Sequence, residues 1–250
     1  MANRSRSSSR SFFSEDSFPP AVKWLLIVNV GIYICTSFAG IAGAPPRWYS
    51  LLMLQPASVA TLGMIWQLVT YSFFHADASH IFWNALSFWM FGQTLERTWG
   101  TKFFLKFYFL CVIGAALFAI VGSYLFFNPA ATFIGMSGAA LGLVVAFGFV
   151  FYDQTVVFSF VLPIKAQYLS MLLAALYFFL TLDYRGAYLT HLGGMVAAFV
   201  YLYFFQGKDI ALKSNLGLRE RYNKWKIDRA KKKFQVYLRK NDPDRDRWVN

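Results

Sequence analysis

Apolar residues gather along the chain in six blocks, 24–44, 79–95, 103–127, 133–152, 168–182 and 187–205. Within each block the apolar run is continuous and shows no alternation of polar and apolar positions, as a strand of a transmembrane barrel would require. The blocks therefore predict helices. A helix that crosses the hydrocarbon core of a bilayer needs about 17 to 25 apolar residues, which four blocks supply and the second and fifth only just reach.

Composition agrees with that pattern. The 250 residues are 57% hydrophobic and 20% aromatic, with only 14% charged, and the mean hydropathy is +0.43. A water-soluble globule of this size needs more charge to cover its surface. The prediction is an all-α polytopic membrane protein of six transmembrane helices. The net charge of +12 sits mostly at the ends and in alternate connections. With the N-terminus in the cytosol, every basic residue except Arg47 and Arg185 falls on the cytosolic side, as the positive-inside rule asks. Both termini are thus expected in the cytosol.

Three domains follow: a tail over 1–20, a six-helix membrane domain over 21–206 and a basic tail over 207–250. The first tail, with Arg4, Arg6, Arg10 and a run of serines, is too polar for a secretory signal and reads as a disordered cytosolic segment; its acid-poor, Arg- and Ser-rich opening also fits an organellar transit peptide. Phe18-Pro19-Pro20 breaks the chain before the first block, and Lys23-Trp24 suits a helix end at the interface. In the basic tail, residues 218–238 interleave Lys and Arg with Tyr222, Trp225, Ile227, Phe234 and Tyr237, which suits anionic lipid; nothing beyond charge speaks for nucleic acid, and none is expected as a partner. Residues 45–78 are rich in apolar and aromatic side chains for an outer loop and read equally as a packed loop or as one lying among headgroups. Cys35 and Cys111 fall inside apolar blocks and are expected to be buried, unpaired thiols. No metal-binding cluster or cofactor motif appears, so no metal and no cofactor are expected.

The chemistry lies in a few polar residues at matching positions. Ser137 stands at the mouth of the fourth block in Gly135-Met136-Ser137-Gly138, where glycines clear the space around a hydroxyl. The chain has three histidines, His75, His80 and His191. With alternating helices, His80, Ser137 and His191 each lie near the outer start of a helix, at one shared depth. Ionisable groups at membrane depth are functional candidates, although a lone histidine there also serves as a hydrogen-bonding link between helices. His80 and Asn84 are four residues apart and project from one helical face, as two donors aimed at one oxyanion must; interhelical glue is the plainer reading of Asn84 alone. Gly138 with Gly142, and Gly194 with Ala198, form small-residue stripes that let two backbones approach closely.

These residues resemble a known family. Trp66 with Thr70, His75-x4-His80-x3-Asn84, Gly135-Met136-Ser137-Gly138 and His191-x2-Gly194 are similar in order and spacing to the rhomboid intramembrane serine proteases, over about 22–205. The resemblance implies a rhomboid-like six-helix bundle and a Ser–His dyad, with Ser137 as nucleophile and His191 as general base and acid, no carboxylate orienting the imidazole. It further implies an oxyanion hole of His80, Asn84 and the Ser137 backbone N–H, a turn shaped by Gly135 and Gly138, and supporting places for His75 and Gly194. Three positions depart from the family's pattern. Gln67 stands where arginine is frequent, Leu141 where several members carry a tyrosine that stacks on the catalytic histidine, and Ala198 where glycine is frequent.

The implied reaction is hydrolysis of single-span membrane proteins near the outer end of their helix, where small or helix-destabilising residues expose a carbonyl. A multi-pass protein of the bacterial plasma (inner) membrane is expected. The rivals are a non-catalytic rhomboid-like protein that binds membrane clients, which has no need of Ser137 and His191, and a small transporter, which needs broken helices and a polar midplane path.

Overall fold

The computed structural model describes residues 18–41, 47–158, 162–184, 186 and 188–206. The chain divides into two compact units, Met1–Leu202 and Tyr203–Asn250. Of the second, residues 203–206 are described, in helical turns. The expected lipid-binding stretch of the basic tail, and all of the first tail but its last three residues, lie outside the described residues.

Six long helices form the first unit: α1 (Pro20–Ile41), α5 (Ala78–Trp99), α6 (Thr101–Phe126), α7 (Ser137–Val150), α8 (Ala166–Asp183) and α9 (Leu189–Tyr201). Between α1 and α5 run three short helices, α2 (Arg47–Leu52), α3 (Pro56–Leu62) and α4 (Gln67–Thr70), and a 3₁₀ turn at Tyr71–Phe73. Among the described residues, three helices are long and apolar enough to cross a membrane, Pro20–Phe38 within α1, α6 and α8, while α7 and α9 are shorter apolar helices. A two-stranded antiparallel hairpin, β1 (Thr155–Phe158) and β2 (Leu162–Lys165), joins α7 to α8 with Thr155 opposite Lys165. That hairpin is absent from the helical expectation because its residues lie between apolar blocks, where four-residue strands leave little periodicity to read.

Helix α7 is the hub. Ala115, Ala116 and Ala119 of α6, Leu143 and Ala146 of α7 and Ala198 of α9 are all fully buried, so three helices pack through small side chains at close range. Large apolar residues point outward instead: Trp24, Ile27 and Phe38 on α1, and Met171, Leu172 and Phe179 on α8. In water such a surface is unfavourable, whereas in hydrocarbon it carries no cost, which fits the bilayer reading. Cys111 is buried as expected, but Cys35 is exposed, because it lies on the face of α1 turned away from the bundle.

At the far end from the site, α5 and α1 are tied by a buried acid. The Glu96 carboxylate accepts from the N–H groups of Ala21 (3.0 Å) and Val22 (2.9 Å) and from the Thr101 hydroxyl (2.7 Å). These are orphan donors of the first turn of α1, whose first residue, Pro20, has no N–H to leave unpaired. Gly100, at φ 81°, makes the one-residue joint between α5 and α6 that brings Thr101 back to Glu96.

Candidate active site

The loop between α1 and α5 is a packed body with an apolar rim. Leu54, Gln67 and Tyr71 are buried, while Trp48, Leu51, Leu62, Ile65 and Trp66 are exposed. Gln67 organises it: its Oε1 accepts from Gln55 N–H at 3.0 Å and its Nε2 donates to the Leu51 carbonyl at 3.2 Å. Trp66 Nε1 donates to the same carbonyl, and the Thr70 hydroxyl to that of Leu52. Glutamine thus supports a complete network where the family often has arginine. The loop in turn holds the strand-like approach to Ser137. Leu54 and Phe133 pair as an isolated antiparallel bridge, at 3.1 and 2.8 Å, and Gly135 N–H donates to the Tyr71 carbonyl at 3.0 Å.

This tether delays the helix of the fourth apolar block. Phe133 belongs to the bridge, and the helix begins only at Ser137, because Gly135 adopts φ +103°, a conformation open to glycine and closed to helices. A side chain there is excluded for a second reason: a Cβ on Gly135 would lie 2.8 Å from His80 Nε2 and 3.6 Å from Asn84 Nδ2. The loop that delivers Ser137 therefore lies directly against the polar face of α5. Ser137 itself is buried as the first residue of α7, among backbone N–H groups that have no partner within the helix.

His80 and Asn84 occupy one face of α5, as their spacing predicts. Asp77 caps that helix, its side chain accepting from His80 N–H at 2.8 Å. Ala76 N–H donates to His80 Nδ1 at 3.5 Å, and the other ring nitrogen, Nε2, is the atom facing Gly135. His75 is buried in the loop ahead of α5 and packs edge-on against His80, ring centroids 5.1 Å apart. Burial, with His80 beside it, pushes the His75 imidazole down to about 4, so it stays neutral at physiological pH.

His191 approaches from the other side. A Cβ on Gly138 would lie 2.5 Å from the Thr190 carbonyl oxygen, and one on Gly194 would run into the backbone of Gly138. Helices α7 and α9 thus touch backbone to backbone between Gly138 and Gly194, and Ser137 and His191 are the chain neighbours of two residues in that contact. Gly142 belongs to the same seam, its missing Cβ leaving room for Cys111 Sγ and the Gly194 carbonyl. Ser137 Oγ, Asn84 Nδ2 and His191 Nδ1 are buried without a hydrogen-bond partner among the described residues. Unpaired buried polar atoms are costly, and both ring nitrogens of His75, beside His80, are in the same condition.

Two residues escaped the sequence reading. Tyr177 of α8 stacks on His191 with centroids 4.9 Å apart and planes at 28°, and Tyr188 meets the same imidazole edge-on at 5.1 Å and 75°. No spacing links Tyr177, on another helix, to His191; Tyr188 stands three residues before His191, but in a chain with 14 tyrosines neither stands out.

A bundle of apolar helices with a serine, histidines and an asparagine gathered where its helices begin defines the class: a helical protein of membrane type with a polar site at one end. The comparisons give the family. Residues 62–208 match the family model for the Rhomboid domain, and the chain belongs to the rhomboid family. It is 28% identical to "Rhomboid-like protease 3" of Toxoplasma gondii over 209 residues, 82% of this chain and 76% of that protein. It is 29% identical to "Rhomboid-like protein 19" of Arabidopsis thaliana over 201 residues, 76% of this chain and 62% of that protein. A third relative, "RHOMBOID-like protein 12, mitochondrial" of Arabidopsis thaliana, is 25% identical over 44% of this chain and 37% of its own length. Family and apolar helices together make this an integral membrane protein. These relatives are eukaryotic, one of them organellar by name, and give no support to a bacterial plasma membrane.

Proposed function

We propose that this rhomboid is an intramembrane serine endopeptidase that cleaves single-span membrane proteins near the outer end of their helix through a Ser137–His191 dyad. The observation that carries this reading is the backbone contact between α7 and α9, which brings the neighbours of Ser137 and His191 together while both side chains keep an unpaired buried polar atom. His191 takes the Ser137 proton as Oγ attacks the scissile carbonyl. Nε2–H of His80, the Asn84 amide and the Ser137 N–H stabilise the oxyanion, and collapse of the intermediate expels the amine, which leaves with the proton His191 holds. Water then repeats the sequence on the acyl-enzyme. Metal and cofactor have no part in these steps.

The topology belongs to the same proposal: six crossings, both termini cytosolic, and a basic tail against anionic lipid. Labelling of the purified protein by a serine-directed phosphonate, with cleavage of a transmembrane reporter, tests it. The label is expected on Ser137 and is lost, together with cleavage, in Ser137→Ala. A protein that neither labels nor cleaves but holds membrane clients would instead fit the non-catalytic reading.

A further inference from the structure

The catalytic role proposed for His191 asks that its imidazole keep one orientation, and among the described residues no hydrogen bond provides this. Its Nδ1 has no partner among the described residues, so the usual means of fixing a catalytic histidine, an acceptor on the second nitrogen, is missing. Stacking takes that place. The face of the ring lies on Tyr177 at 4.9 Å and 28°, a near-parallel geometry, and its environment is closed by the edge contact with Tyr188. The two tyrosines also meet each other, at 5.8 Å and 54°, so the three rings form one cluster in which the imidazole is held on its face and at its edge.

Tyr177 is well placed to hold a ring steady. The buried positions of α8 are Ala166, Leu169 and Thr181, and Tyr177 lies on the stripe they define, four residues before Thr181, whose hydroxyl donates to the Tyr177 carbonyl at 2.7 Å. Its neighbours Leu176, Phe178 and Phe179 are exposed. Nearer the other end of α8, the Ser170 hydroxyl reaches the Val144 carbonyl of α7 at 2.9 Å and fixes the helix against the hub. On α7 itself the residue one turn after Ser137 is Leu141, which has no π face to offer.

We infer that Tyr177 is a positioning residue for this rhomboid, the ring that aligns the His191 imidazole from a helix that carries neither member of the dyad. The inference rests on the dyad reading. It has two consequences: the aromatic face is the working part and the hydroxyl is not, and alignment of the base depends on how α8 is seated.

The test compares the parent with Tyr177→Phe and Tyr177→Leu in detergent, reading cleavage kinetics and, separately, the ring resonances of His191 in histidine-labelled protein assigned with His191→Gln. Tyr177→Phe should keep parental kcat and the parental shielding of the His191 ring. Tyr177→Leu should lower kcat by between about tenfold and a hundredfold, the scale of loss for a misaligned group, with KM and melting temperature near parental. Its His191 signals should move to less shielded positions. The inference is overturned if Tyr177→Leu keeps parental kcat, if Tyr177→Phe loses as much as Tyr177→Leu, or if the His191 resonances are the same in parent and Tyr177→Leu. The resonances read the alignment whether or not substrate is cut, so a parent that never cleaves defeats the protease reading and leaves this result to stand or fall by itself.

Discussion

Helix α9 meets α7 and α8 in opposite ways. Towards α7 the contact has no side chains at its centre: the backbones of Gly138 and Gly194 touch, and Gly142 lies beside them. Towards α8 the contact is made by large rings, with Tyr177 stacked on His191. A backbone contact fixes distance with almost no freedom to yield, since main-chain atoms cannot change rotamer. A stacked ring fixes orientation more gently, and the helix behind it turns a wide apolar face outward. The lesson is a division of labour, one side of α9 setting how near His191 comes to Ser137 and the other setting which way its imidazole faces.

The sharpest reference for this comparison is removal of the dyad. Ser137→Ala and His191→Ala should each lower cleavage by more than about ten-thousandfold without loss of folding, as measured on a transmembrane reporter and by thermal melting. Parental cleavage by either variant would end the protease reading.

The close side is broken next. In Gly194→Val the new atoms must displace the Gly138 backbone, so cleavage should fall by well over about a hundredfold and stability by about 1–3 kcal/mol or more. Here the dyad fails with both members present. A normally active Gly194→Val would show that the seam does not set the distance.

A third change leaves both sides of α9 intact. Asn84→Ala removes one oxyanion donor and should cost about a hundredfold in kcat, the low end of the range, because His80 and the Ser137 N–H remain. If kcat, KM and melting were all parental, Asn84 would be helix glue.

Smaller still is the effect of acid on the loop. His75 is neutral in the fold down to about 4, while in an unfolded chain it takes up its proton near the ordinary histidine value of 6.5. The contribution of a neutral, buried His75 is therefore fully present above 6.5 and is lost as pH falls from there towards 4. The melting temperature of His75→Gln should drop less than that of the parent between pH 7 and pH 4.5, and equal drops would remove His75 from the account. As the near-zero point of the series, Leu172→Val on the exposed face of α8 should leave cleavage and melting within error.

Much of the site is readable in the chain because its members occur where helices begin and at spacings that helical geometry dictates. His80 and Asn84 share a face by their four-residue separation, and the glycine stripes announce the α7–α9 seam. Other parts depend on tertiary placement. Tyr177 lies on another helix and becomes a partner of His191 only through the packing of α8, whereas Tyr188 meets His191 locally, as the cap residue three positions before it at the start of α9. Glu96 reads as one more charge at a helix end until α1 is seen to start on it. The late start of the helix in the fourth apolar block is a matter of one dihedral angle, since Phe133 is as apolar as a helical residue and only the turn at Gly135 separates it from α7.

The contact between Gly138 and Gly194 has a consequence for genetics. A bulky substitution in most packed interiors can be relieved by a second mutation that shrinks the side chain it strikes. At this crossing the atoms struck are the carbonyl carbon, carbonyl oxygen and Cα of another glycine, which no codon change can make smaller. Selection for restored proteolysis in a Gly194→Val strain should therefore return codons for glycine at 194 itself and no suppressors at position 138, a pattern that marks the crossing as a place where the lineage has no alternative solution to explore.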